Sequence, residues 1–363
     1  MTMSTGLFEF LPQARAENRE SIAFPQTRFQ GSKRKLAGAI LGQLEDLSYS
    51  TVLDAFGGTG AVSYAFKRAG KSVTYNDILF FNHQIGLALI ENDGVRLTEE
   101  EDQFLQARGT GFTFDNFIER TFEGIYYTRD ENRWLDTVCQ NIPRLTCPIK
   151  RAIAWFAVFQ AALIKRPYNL FHRSNLYMRL AKVKRTFGNK VTWEGPFADY
   201  FSRFATDANL AVIDSGGLCR ASCADATDVE GDFDLVYIDT PYIKRNGVGV
   251  DYRGFYHFLE GLLQYPQWEN LIDNRLKHLP LRASPPQPWS DPNQIRAAFE
   301  RLFHRYRSSI LCVSYRSDGI PSISDLASLL RQFKNEVRII ELGSYRYALS
   351  PRREIQEMLL IGS

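Results

Sequence analysis

Asp234-Leu235-Val236-Tyr237-Ile238-Asp239-Thr240-Pro241-Tyr242, the stretch DLVYIDTPY, sets a short apolar run against an acid, a proline and an aromatic ring. The run Leu235–Ile238 reads as a buried parallel strand, apolar because both of its faces are covered. Asp239, Thr240, Pro241 and Tyr242 then fall at the strand's carboxyl end, the edge where open α/β sheets bind ligands. An acid, a rigid bend and a ring in that order suit chemistry on the exocyclic amine of a planar base. Such an amine is a poor nucleophile, because its lone pair is delocalised into the ring. Acceptors for both N–H bonds pull the nitrogen toward tetrahedral geometry and free the pair. Asp239 supplies one acceptor and the Thr240 carbonyl a second, with Pro241 restraining that carbonyl and Tyr242 stacking on the base.

Working outward, strand and helix patterns surround this segment. Thr51–Ala55 reads as a strand, Ala61–Ala69 as a helix and Lys71–Asn76 as a second strand, with a further helix from Leu79. After about Asn92 the sequence turns irregular and aromatic with helical islands, until alternation resumes near Ser215. Helices are expected at Phe255–Leu263 and Ser322–Lys334, the latter with a capping-box start at Ser322 and Asp325. A helix is also expected to start at Asp291-Pro292. Ser309–Ser314, Val337–Leu342 and Ile355–Ile361 read as later strands. The expected organisation is an amino-terminal arm (1–20) and a catalytic domain in two pieces (21–92 and 212–363). An inserted, mostly helical domain (93–211) separates the two pieces.

A second motif lies at the end of the first strand. Val52-Leu53-Asp54-Ala55-Phe56-Gly57-Gly58-Thr59-Gly60 is a strand running into a glycine-rich turn that opens a helix. Glycines let the backbone approach a ligand, and a helix amino terminus favours anionic groups. A nicotinamide fingerprint fails here, because Ser63 stands where its third glycine belongs. An acid before the turn suits a zwitterion instead, with Asp54 on the positive end and backbone N–H groups on the carboxylate. Asp77, after the second strand, is placed for ribose hydroxyls, and Asp225 for an adenine amino group. Together these features describe S-adenosylmethionine.

Composition sets limits. The chain of 363 residues has an ordinary apolar content of 44% and a net charge of only +3, so bulk charge does not single out a nucleic-acid partner. Five cysteines without metal-ligand spacing read as reduced thiols in a cytoplasmic protein, and no metal is expected. The apolar stretch Ala152–Ile164 is too short to span a bilayer, and no signal peptide or membrane association is expected. Charge is concentrated locally: residues 165–190 hold eight basic side chains and no acid. Lys165, Arg166, Arg173, Arg179, Lys182, Lys184 and Arg185, with Tyr168 among them, read as a nucleic-acid surface.

On these motifs the chain resembles the Dam-like (class alpha) adenine-N6 DNA methyltransferases. Phe29-Gln30-Gly31-Ser32-Lys33 looks like that family's first motif, which packs on the cofactor. Asp54, Phe56, Gly58 and Gly60 match its D-x-F-x-G-x-G motif, joined by Gly57. Asp77 and Asp225 match the acids of the next two motifs. Residues 345–349 and 357–360 look like its closing antiparallel hairpin. The family's tetrapeptide is usually D-P-P-Y, so Thr240 is a departure; its carbonyl can still accept, but the ring's restriction of φ is lost. The resemblance implies a Rossmann-like methyltransferase sheet and methyl transfer from S-adenosylmethionine to N6 of an adenine flipped out of a specific double-stranded DNA sequence. It also implies a monomeric, nucleoid-associated enzyme of a prokaryote or phage host, with a restriction endonuclease or defence system as functional partner. Cytosine-N4, RNA or a protein amide as substrate, and a non-catalytic DNA-binding relative decayed at Thr240, are the alternatives.

Overall fold

The computed structural model describes residues 24–29, 31–181, 190–245, 247–282, 287–345 and 355–363. The arm (1–20), Gln30, Lys182, Lys184, Arg185 and the hairpin turn at 346–354 lie outside the described residues.

The strands are β1 (Thr51–Asp54), β2 (Ser72–Asn76), β3 (Arg220–Ser222), β4 (Leu235–Ile238), β5 (Ile243–Lys244), β6 (Ile310–Arg316), β7 (Gly319–Ile320), β8 (Val337–Tyr345) and β9 (Ile355–Gly362). Seven of them form one sheet in the order β3-β2-β1-β4-β6-β9-β8, while β5 and β7 pair separately. The first five of that order run parallel; β9 is antiparallel to both β6 and β8. This is the expected Rossmann-like sheet with its closing hairpin, and the hairpin is built into the sheet. Every residue of β4 is buried, which is why its sequence is an unbroken apolar run. Connections leave β1 toward β2 on one side while β4 lies on the other, so the crevice above β1 and β4 is the binding edge.

Local chemistry sets several boundaries. Ser322, Thr98 and Thr128 each cap a helix through a reciprocal box with Asp325, Glu101 and Glu131. The helix expected at Asp291 instead starts at Ile295. Asp291 spends its side chain on the Asn293 and Gln294 nitrogens, folding a turn ahead of the helix.

The described part of residues 93–211 holds helices, from Glu99–Gln106 to Phe197–Leu210, joined by irregular loops. Their centre is Pro148–Ile164, with Pro at its first turn and Ala152–Ile164 wholly buried. It packs against Phe197–Leu210 and against the helix Phe80–Gly86 that follows β2. Phe81 meets Phe159 edge-on at 5.8 Å, and one hydrophobic cluster runs from Phe24 through this helix to Ile361. Among the described residues no helix is long and apolar enough to cross a membrane.

Candidate active site

The carboxyl ends of β1, β2 and β4 bring Asp54, Asp77 and Asp239 to one cavity of about 250 Å³. Behind Asp54 the chain turns through Gly57, where a Cβ would lie 2.1 Å from the Tyr75 ring, so only glycine fits. Tyr75 in turn donates to the Gly58 carbonyl at 2.7 Å. Gly58 and Gly60 hold left-handed φ of 50° and 75°. Gly60 does not line the cavity; it shapes the entry to the helix Ala61–Arg68.

Asp54 is buried, with one oxygen accepting from the Ser63 hydroxyl at 2.5 Å. Its Oδ1 is buried without a hydrogen-bond partner. Burial, reinforced by the Asp239 and Asp77 charges, pushes its carboxyl up to about 7. A buried acceptor left open at a cavity fits a cationic ligand group, such as the α-ammonium of S-adenosylmethionine. Asp77 is more occupied than the sequence implies: it accepts from Gly58 N, Leu79 N and the Asn82 amide at 2.9–3.0 Å, bracing the glycine turn. Burial pushes its carboxyl up to about 6 against these donors. Asp225 accepts from Thr227 N and its hydroxyl and stands on the far wall.

On the other side, β4 ends at Asp239. Lys33 Nζ reaches Asp239 Oδ1 at 3.0 Å, and the Tyr242 hydroxyl donates to the same oxygen at 3.0 Å. Both contacts fall on Oδ1; among the described residues no donor reaches Oδ2. Lys33 also contacts the Tyr242 hydroxyl and sits 3.2 Å from Glu357 Oε1. Lys33 thus lines the cavity while gripping the tetrapeptide. Burial pushes Asp239 up to about 6, with Lys33 opposing and Glu357 reinforcing the rise. Thr240 is buried and its hydroxyl donates to the Pro241 carbonyl at 3.1 Å, so the added group is satisfied within the tetrapeptide.

Phe29 stacks on Phe81 at 5.6 Å and meets Tyr256 edge-on, forming an aromatic wall. Tyr252, Tyr256 and Trp289 complete the lining, and none was singled out from sequence. Tyr252 and Tyr256 stand on the helix Tyr252–Leu263, four apart and with parallel rings. Trp289 comes from a proline-rich stretch, residues 279–292, and packs edge-on against Phe56 at 4.9 Å. An aromatic inside a proline-rich stretch was the available signal for it.

The basic segment needs correction. Lys165, Arg166 and Arg179 are buried, so none of the three is a DNA-facing side chain in this fold. Lys165 and Arg179 both pair with Glu131, at 2.8 and 2.6 Å. Arg166 donates to the carbonyls of Leu170 and Arg173 over the Tyr126 ring. Charge clustering along the sequence had counted them as surface, whereas burial next to an acid and open carbonyls consumes them. Tyr168 and Arg173 are exposed, on the loop folded around Arg166. No group of three or more His, Cys, Asp or Glu able to hold a metal occurs among the described residues.

A Rossmann-like sheet with an open acid after its first strand and a D-x-P-Y segment after its fourth defines a methyltransferase using S-adenosylmethionine. The chain belongs to the D12 class of N6 adenine-specific DNA methyltransferases, whose family model matches residues 29–283. It is 26% identical to the type II methyltransferase M2.HphI of Haemophilus parahaemolyticus, over 88% of this chain and 91% of that protein. It is 25% identical to modification methylase StsI of Streptococcus sanguinis and 23% to modification methylase LlaI of Lactococcus lactis subsp. lactis. It spans about half (51%) of each of those two. Likeness to the rRNA methyltransferase aviRa of Streptomyces viridochromogenes, covering 95% of this chain and 90% of that one, has a TM-score of 0.31 at 11% identity, too remote to bear on function. The protein is therefore an enzyme that methylates N6 of adenine in DNA with S-adenosylmethionine as donor. This sets aside the cytosine, RNA, protein-amide and non-catalytic alternatives.

Proposed function

We propose that the enzyme modifies an adenine turned out of double-stranded DNA at a specific sequence, within the crevice between Asp54 and Asp239. The observation that carries this reading is the restraint of Asp239 Oδ1 by Lys33 and Tyr242, on a carboxylate that lines the cavity. When bound, S-adenosylmethionine supplies an electrophilic methyl group on a sulfonium. Asp239 Oδ2 and the Thr240 carbonyl accept the two N6 hydrogens, Pro241 restrains that carbonyl, and Tyr242 offers its ring as the wall for the base. The methylated nitrogen is acidic enough to lose its proton without a strong base. Asp54 holds the donor's ammonium, Asp77 its ribose and Asp225 its adenine amine, with Phe29 and Phe56 along the cofactor. Gly31, Gly57 and Gly58 allow close backbone approach.

Residues 93–211 form the target-recognition unit between the catalytic pieces 21–92 and 212–363, with Tyr168 and Arg173 toward the DNA. The names of the relatives support a modification role, and on this reading a monomer in the nucleoid compartment acts alongside a restriction endonuclease. The test is label transfer from S-adenosylmethionine to duplex DNA, single strands and RNA, followed by nucleoside analysis. Label in N6-methyladenine of duplex DNA, absent in Asp239→Ala, is expected. Equal labelling of single strands refutes recognition of a duplex, and an active Asp239→Ala refutes the assignment of the acceptor.

A further inference from the structure

Among the described residues two carboxylates converge on the Lys33 ammonium at the tetrapeptide. Asp239 alone neutralises it at 3.0 Å, yet Glu357, only 1% exposed, places Oε1 3.2 Å from the same ammonium. Burying a carboxylate is costly, and a fold retains one where its geometry is held. Here it is held: the Ser314 hydroxyl donates to Glu357 Oε1 at 2.7 Å. Glu357 also occupies the inward phase of β9, between the buried Ile355 and Leu359, where an apolar residue would pack. The nearby Arg316, opposite Glu357 in the β6–β9 register, is bound through its guanidinium to Asp318 at 2.5 and 2.9 Å. The family match ends at residue 283, so Glu357 lies outside it.

We propose that Glu357 is a positioning residue for methyl transfer: it takes a share of the Lys33 ammonium, so that the Asp239 carboxylate stays a strong hydrogen-bond acceptor for the adenine amine. In a one-to-one pair, Lys33 would draw the Asp239 charge toward itself and weaken the carboxylate as an acceptor. Divided between two anions, the ammonium still restrains Oδ1 and neutralises Asp239 less. The inference rests on Asp239 being the acceptor. Among the described residues the charged and titratable groups around the pair are Lys33, Tyr242 and Arg316, with Asp54 and Tyr252 on the Asp239 side.

Glu357→Gln keeps the shape and an oxygen for Ser314 while removing the charge. The expected result is a kcat lower by on the order of tenfold, with KM for S-adenosylmethionine and for DNA within about threefold. The acidic limb of kcat should move to lower pH, because the Glu357 charge raises Asp239 and its loss lets that carboxyl fall. A merely structural glutamate would not produce lower activity together with an acid limb displaced downward. Glu357→Asp, which keeps the charge, should restore most of the rate. Ser314→Ala serves as the second variant should Glu357→Gln not fold, and is expected to lower kcat severalfold with unchanged cofactor binding. Wild-type kcat in Glu357→Gln, or a loss of rate with the acid limb unmoved, overturns the proposal. So does an unaltered Ser314→Ala where it is the variant that folds. Asp239→Ala runs in parallel; full activity there overturns the acceptor assignment itself, a failure separate from that of Glu357.

Discussion

Replacing Asp54 with asparagine should make the cofactor-free protein more stable while sharply weakening its affinity for the cofactor. The folded-state carboxyl lies at about 7 against an ordinary 3.8, chiefly through burial. Because the folded pKa is raised, the unfolded chain ionises first. Stability is therefore lost as pH climbs from the unfolded value to the folded one, and the loss is complete above about 7. A gap of about three pH units corresponds to roughly 4 kcal/mol at full ionisation, an upper bound because buried sites relax. Asparagine removes the charge and keeps an acceptor for Ser63, which now donates to Asp54 at 2.5 Å. Urea unfolding at about pH 8 should then show Asp54→Asn more stable than wild type by about 2–4 kcal/mol, with the difference shrinking as pH falls and approaching zero only below about pH 4. Titration calorimetry should show S-adenosylmethionine affinity lower by about 30-fold or more, since the ammonium loses its charged partner. A stability difference that does not change with pH, or a less stable variant at about pH 8, would refute the account of Asp54 as an uncompensated buried anion.

Thr240→Pro should change the single-turnover rate by less than about fivefold, because the accepting carbonyl is kept and the lost hydroxyl contacts only Pro241 O; a large gain would show that Thr240 limits catalysis. Gly57→Ala, whose Cβ would lie 2.1 Å from the Tyr75 ring, should lose cofactor binding and about 3 kcal/mol of stability or more, measured by chemical denaturation. Gly38→Ala, with open space around it, should lose neither. Arg179→Ala should cost about 3 kcal/mol by leaving Glu131 less compensated, while Arg173→Ala leaves stability alone. Arg173→Ala should instead weaken DNA binding and reduce its salt slope by about one, as filter binding across salt concentrations would show.

The parts of the fold and site legible from sequence are those where one local pattern does one job. The run Leu235–Ile238 is apolar because β4 is covered on both faces, and the acid after it necessarily falls at the sheet edge. Asp54 and the glycines were readable for the same reason: a strand, a tight turn and a helix are contiguous there. Tyr252, Tyr256 and Trp289 were not, because they reach the cavity only after a helix and a loop from elsewhere fold against it. The reading of Lys165, Arg166 and Arg179 as surface failed on a long-range fact. Glu131 and the carbonyls that receive their charges are remote in sequence or turned inward by the fold. Glu357 did leave a trace, an acid in the inward phase of an apolar strand, but its partner Lys33 lies near the other end of the described chain.

The place of β9 in the sheet bears on how the enzyme comes into being. The strand is wedged between β6 and β8 and is the last element described, and its Glu357 completes the cluster at the tetrapeptide. During synthesis, β6 emerges with one flank unpaired until β9 leaves the ribosome. A nascent or truncated chain therefore presents an open strand edge, a site for misassociation and for chaperones. It also lacks the Glu357 contact to Lys33 beside the tetrapeptide. Competence to modify DNA should appear only when translation has passed Glu357, so unfinished chains stay silent toward the genome.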